Sequence, residues 1–287
     1  MSKKLKVGIF GITGCMGCQL NILYQKDLMA ILDAVDLRAF PVGKEHNIEE
    51  EDFDIIFLEG VVVNDKDLQE LKKYRNMTKK LVAIGACATD GCVPAIKNFV
   101  NNKNVELSVY HENELKQMNS LDPRPIDDFV KVDHYIYGCP MDKIEFLNFM
   151  KQTLLGKDFK VYSKPICYEC NLRERGCLLE EGKECLGPVT FGNCSVMCPN
   201  ENYSCIGCRG PYPDSNFEAY FKLLESKGIP KKTIFSHINR FAGIKFQRAM
   251  LKQKEEREMT GEHACYDMFC HVAKHKLNKK GENCWGK

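Results

Sequence analysis

Over the first 155 or so residues, short apolar runs alternate with segments whose apolar residues recur at helical spacing. KLKVGIFGI (4–12), an apolar run bounded by glycine, predicts a buried strand. Residues 17–35 then place Leu20, Leu23, Leu28, Ile31 and Leu32 at the spacing of one helix. DLRAFPV (36–42), FDIIFLEGVVV (53–63), KKLVAIGAC (79–87) and VDHYIYGCP (132–140) predict further strands. LQELKKYRN (68–76), residues 93–102 and DKIEFLNFMKQTLL (142–155) predict helices between and after them. Strands alternating with helices predict an α/β fold built on a doubly wound parallel sheet.

Both periodicities fade from Asp158 to about Asn216, where glycine, proline and cysteine dominate. Helical spacing returns over 216–260, and the charged run from Lys252 to Glu258 reads as a solvated helix face. No apolar run reaches the eighteen or more residues that a membrane span needs, so no transmembrane segment is expected. Lysine plus arginine (41) nearly balances aspartate plus glutamate (39), and such a balance does not advertise nucleic-acid binding. The start, MSKKLKVGIF, runs straight into a strand without a cleavage site or a twin arginine, which places the protein in the cytoplasm.

The 16 cysteines change the picture. In a reducing compartment they favour metal over disulfides. Cys15 and Cys18 follow the first predicted strand, while Cys87 and Cys139 end two later ones. Sites in such sheets form outside the carboxyl ends of strands, so these four thiols are expected to converge. Gly8, Gly11, Gly14 and Gly17 fit neither a dinucleotide fingerprint nor a phosphate loop. They read instead as places where the backbone passes close to a bulky group. Eight more thiols follow: Cys167, Cys170, Cys177 and Cys185, then Cys194, Cys198, Cys205 and Cys208.

Zinc is compatible with the pairs Cys167/Cys170 and Cys205/Cys208. Iron–sulfur clusters account for more. The first four thiols are scattered over a large domain, Cys-Pro occurs at Cys139–Pro140 and Cys198–Pro199, and twelve thiols divide into three groups of four. His46, His111, His134 and His237 are scattered and suggest no catalyst. The tail holds Cys265, Cys270 and Cys284 with His263, His271 and His275, whose spacing leaves metal binding and plain packing both open. A chain with several redox centres and no acid–base pair or nucleophile reads as an electron relay for a reactive site on a partner. The expected architecture is a flavodoxin-like doubly wound domain over 1–156, a loop-rich two-cluster iron–sulfur domain over 157–215 and a helical C-terminal segment over 216–287.

GITGCMGCQL, AIGACATDG, YGCP, CYEC, CLGPVT, GNCSVMCP and CIGCRGP together resemble the small subunit of nickel–iron hydrogenases, nearest to the cytoplasmic sulfhydrogenase delta type. The resemblance implies a proximal 4Fe-4S cluster on Cys15, Cys18, Cys87 and Cys139, facing a nickel–iron centre on the large subunit. It implies a distal cluster on Cys167, Cys170, Cys177 and Cys185, and a medial one on Cys194, Cys198, Cys205 and Cys208. Cys167 stands where some relatives have histidine. Cys198 replaces a proline that accompanies a three-iron centre, so a full cube is expected. Cys92 departs from the family's Gly-Gly and reads as a bystander near the proximal site, because the companion cysteine of oxygen-tolerant members is Gly17 here.

The expected function is electron transfer within a hydrogenase, H2 ⇌ 2H+ + 2e−, towards a flavin- or iron–sulfur-containing reductase subunit. Burial and hydrogen bonds to sulfur are expected to tune the potentials, and Thr13, Thr89 and Thr190 are candidates for the layer around the ligands. An exposed apolar surface is expected around Cys15–Leu20. The alternatives are a relay serving different large-subunit chemistry, and a zinc-stabilised interaction protein.

Overall fold

The computed structural model describes residues 4–100, 107, 109–111, 120–162, 164–170 and 176–259. The chain divides into two compact units, Met1–Pro94 with Lys116–Val161, and Ala95–Leu115 with Tyr162–Lys287.

The first unit is built on strands β1 (Lys6–Gly11), β2 (Asp36–Ala39), β3 (Phe53–Glu59), β5 (Thr78–Ile84) and β7 (His134–Ile136). They form a five-stranded sheet in the order β2-β1-β3-β5-β7, with every pairing parallel. Successive side chains on a strand point to opposite faces, so each strand feeds two cores. Val7, Ile9, Ile55, Phe57, Val82 and Ile84 pack with Phe146, Phe149 and Met150 of the helix Lys143–Leu154. Phe10, Ile56, Leu58, Leu81 and Ala83 pack on the other face with Leu71 of α3 (Asp65–Asn76). Burial on both faces explains why these strands read as continuous apolar runs. The chain leaves β1 towards β2 and leaves β3 the opposite way, which puts the switch point of the doubly wound sheet between β1 and β3.

Several boundaries differ from the sequence reading. The helix expected over 17–35 is two helices, α1 (Gly17–Leu23) and α2 (Leu28–Ala34). Buried Gln25 lies at the break, its amide donating to the Lys143 carbonyl at 3.3 Å. Leu20, expected on the apolar face, is 43% exposed, whereas Gln19 is buried. The run 53–63 breaks at Gly60, whose φ of +111° turns the chain from β3 into β4 (Val62–Asn64). β4 pairs antiparallel with β6 (Ser120–Arg124), which the sequence did not announce because SLDPR contains charge and proline. The helix over 93–102 is a 3-10 turn, Val93–Phe99. Asn64 and Asp142 cap α3 and Lys143–Leu154, their side-chain oxygens accepting the N–H of Asp67 and Glu145.

Among the described residues of the second unit, the cysteine-rich stretch carries three short turns, Ile166–Cys170, Gly187–Val189 and Met197–Asn200, and three helices follow, Phe217–Ser226, Lys231–Ile238 and Gly243–Met259. The stretch does share a core with them. Ile166, Leu186, Val189, Cys185 and Cys205 are buried together with Phe217, Tyr220, Leu224, Ile234, Ile238 and Phe246. Tyr220 donates its hydroxyl to the Cys185 carbonyl at 3.1 Å, tying helix to loop. No described helix is long and apolar enough to cross a membrane.

Candidate metal centres

Four thiols follow strands of the parallel sheet: Cys15 and Cys18 after β1, Cys87 after β5 and Cys139 after β7. Their exact positions correct the strand-end picture. Cys87 does not end β5. It lies on α4 (Gly85–Asp90), because Gly85, at φ +79°, turns the chain out of the strand. Cys18 lies in α1 and is buried, whereas Cys15 and Cys139 are exposed. A Cβ on Gly85 would stand 2.2 Å from Cys18 Sγ, so only glycine lets the α4 backbone approach that sulfur. Of the four N-terminal glycines, Gly17 borders a thiol, its Cβ position lying 3.3 Å from Cys15 Sγ. Gly8 makes room for Phe10 and Phe53 instead.

The sulfurs feel one another electrostatically. Burial pushes the Cys18 thiol up, the Glu59 carboxylate adds to this, and Cys87 and Cys139 contribute further. The Met141 N–H, donating to Cys18 Sγ at 3.4 Å, works the other way. A fifth thiol, Cys92, is buried and donates to Cys139 Sγ at 3.9 Å. That bond draws the Cys139 thiol below its ordinary value and raises Cys92. Cys92 thus bonds to Cys139 and also to Cys87, two of the four expected ligands.

In the second unit, burial and then the charges of Cys185, Cys170 and Cys177 push the Cys167 thiol up to about 12. A Cβ on Gly187 would lie 3.2 Å from Cys167 Sγ and 3.6 Å from Cys185 Sγ, so this glycine is pinched between two sulfurs. Burial raises Cys185, while the N–H groups of Gly187 and Cys205 oppose it, the latter at 3.3 Å from Sγ. Cys205 is raised by burial and by Cys185, is relieved by the Gly207 N–H, and also feels Cys208 and Cys194. Cys194 is raised by burial, against which stand the Val196 N–H and the charge of buried Arg209; Glu169 acts in the opposite sense to Arg209. Cys198 is raised by burial, and its own N–H opposes this. No neighbouring thiol enters its balance.

Every described cysteine is a free thiol. One tetrahedral ion would draw four thiolates to within about 3.8 Å of one another. Among the described residues no three His, Cys, Asp or Glu side chains gather as a single-ion site. The three candidate threonines bond elsewhere. The Thr13 hydroxyl lies 3.0 Å from the Asp67 carboxylate, Thr89 bonds to Asp90, and Thr190 donates to the Leu186 carbonyl at 2.7 Å. A hydroxyl has one proton, and these are committed to oxygen. Apart from the Cys92 thiol, the donors to cysteine sulfur among the described residues are backbone N–H groups, which no side-chain motif could reveal. Cys265, Cys270 and Cys284, with the tail histidines, lie outside the described residues.

A family profile described as "NADH ubiquinone oxidoreductase, 20 Kd subunit" matches residues 15–153. The chain is 35% identical to sulfhydrogenase 2 subunit delta of Pyrococcus furiosus, over 83% of this chain and 99% of the relative. It is 28% identical to the delta subunit of the NAD-reducing hydrogenase HoxS of Cupriavidus necator, over 56% and 83%. An actinobacterial-type NiFe-hydrogenase chain from Ralstonia eutropha H16 shares the fold at TM-score 0.53 and 17% identity, over 92% of this chain and 93% of that one. The chain belongs to the small subunits of nickel–iron hydrogenases. Within that family its likeness runs through the sulfhydrogenase delta subunit, and it is a hydrogenase subunit of the oxidoreductase class.

Proposed function

We propose that the chain relays electrons through three 4Fe-4S clusters, on Cys15/Cys18/Cys87/Cys139, Cys167/Cys170/Cys177/Cys185 and Cys194/Cys198/Cys205/Cys208. The observation that carries this is geometric: Cys18 Sγ is approached by bare Gly85 and by the Met141 N–H, and Cys167 and Cys185 Sγ flank bare Gly187, with the Cys205 N–H on Cys185 Sγ. Cys15, Cys177 and the Cys194–Cys208 group join by their place in the sequence. Gly85 and Gly187 clear space beside the sulfurs, and backbone N–H groups of Met141, Gly187, Cys205 and Gly207 point at them. Such N–H donors raise the potential of a cluster bound to the sulfur, and burial of Cys18, Cys185 and Cys205 keeps water from those sulfurs. The clusters supply one-electron carriers; the protein supplies thiolate ligands, low dielectric and a fixed backbone.

A nickel–iron centre on a large subunit activates hydrogen. The exposed Met16, Leu20 and Tyr24 form the apolar face that this partner covers beside Cys15. The likeness to HoxS supports a flavin- or iron–sulfur-containing reductase as acceptor, and a cytoplasmic setting keeps the thiols reduced. The test is iron and acid-labile sulfide per chain in the purified complex, together with hydrogen-dependent dye reduction. About twelve irons on this chain are expected from three cubes. One structural zinc per thiol group, or dye reduction independent of hydrogen, would overturn the proposal.

A further inference from the structure

Glu59 ends β3, beside the switch point of the sheet, and is 1% exposed. Burying a carboxylate this deeply is costly unless it is hydrogen-bonded. Its partners lie on the thiol-bearing segment. One carboxylate oxygen accepts the backbone N–H of Cys18 at 3.3 Å and the other that of Gln19 at 3.1 Å. Glu59 Cγ is also 3.7 Å from the Cβ position of Gly14, so the side chain underlies the loop that carries Cys15. Its charge acts on Cys18 and on Cys139, which follow different strands, β1 and β7.

We propose that Glu59 is the positioning residue of the sheet-edge thiol site. Its carboxylate fastens the Cys18 backbone to β3 and holds a negative charge that lowers the reduction potential of the centre there. Resting on the cluster assignment above, two effects act in the same direction. Adding an electron next to a buried fixed anion is unfavourable. The carboxylate also engages the Cys18 and Gln19 N–H groups, which would raise the potential if they donated to sulfur. A glutamate closing the apolar run FDIIFLE was the trace of this in the sequence.

The test uses the whole purified complex with Glu59→Gln and Glu59→Asp, read by iron per chain and by spectroscopically monitored redox titration. Glu59→Gln keeps an acceptor oxygen of similar shape and removes the charge. An upward shift in the midpoint potential of one centre is expected, with the other two unmoved and iron per chain unchanged. Glu59→Asp, which keeps the charge, is expected to leave that potential near the unaltered value. Unshifted potentials in a Glu59→Gln complex of normal iron content would overturn the proposal. Absence of any cluster signal from the unaltered complex would overturn the cluster assignment, and this proposal with it.

Discussion

The two units hold their thiols in physically different ways. In the sheet unit, Cys18 is the one expected ligand that enters a core cluster; Val7, Ile55, Phe57, Val82 and their helix partners would pack without the others. In the second unit Cys185 and Cys205 are themselves core residues, and Cys170 and Cys194 pack against that core. The first site is carried by a fold that hydrophobic burial already stabilises. On the proposed cluster assignment, the second would be part of what holds its fold together, in the way metal binding supplies folding free energy in small loop-rich modules.

The largest effect should come from removing iron. Chelation under reducing conditions is expected to abolish amide-exchange protection over the described part of 164–259, while β1, β3 and β5 keep theirs. Equal loss in both units would break the contrast. A pair of core truncations sharpens it. Phe246→Ala and Phe57→Ala each remove a fully buried ring and should each cost about 3–5 kcal/mol. Phe246 fills the space beside Gly207, which follows Cys205, so its loss should also lower iron per folded chain. Phe57→Ala should leave iron per folded chain unchanged, and iron analysis of the folded fraction distinguishes the two.

The smallest effect concerns the sheet alone. Burial tends to raise the Asp133 carboxyl, but the Leu81 N–H at 2.8 Å and Arg75 at 2.6 Å outweigh it and hold it below its usual 3.8. A depressed carboxylate contributes stability above its unfolded value and loses it as pH falls through the folded one. Asp133→Asn should therefore cost at most about 1 kcal/mol at neutral pH, the pair being partly solvated. The difference from the unaltered protein should shrink as pH falls below 3.8 and vanish once the lowered folded value is passed, as followed by denaturant melts. A difference that grows on acidification would contradict the assignment.

Much of the site was legible because thiols are rare and their spacing is informative, but the details moved. Cys87 left its strand for a helix because of one backbone angle at Gly85. Leu20, read at helical spacing with the apolar positions, lies in the exposed surface expected around Cys15–Leu20, and Gln19 beside it is buried. Glu59 needs the Gln19 N–H inside, while Leu20 is turned outward as part of an exposed apolar face. Cys92, read as a bystander, touches Cys139. β6 was missed because its pairing with β4 comes from tertiary context rather than from its own pattern.

Periodicity and residue type are local properties. The chain itself therefore determined the alternating strands and helices, the family and the supply of thiols. Which groups donate to sulfur, which charge lies beside it and which glycine must stay bare depend on residues far apart in the chain. Glu59 meets Cys18 across 41 positions, and Met141 meets it across 123. Only the folded sheet brings those partners within hydrogen-bonding distance, where the direction of a single N–H or carboxylate decides how a sulfur behaves.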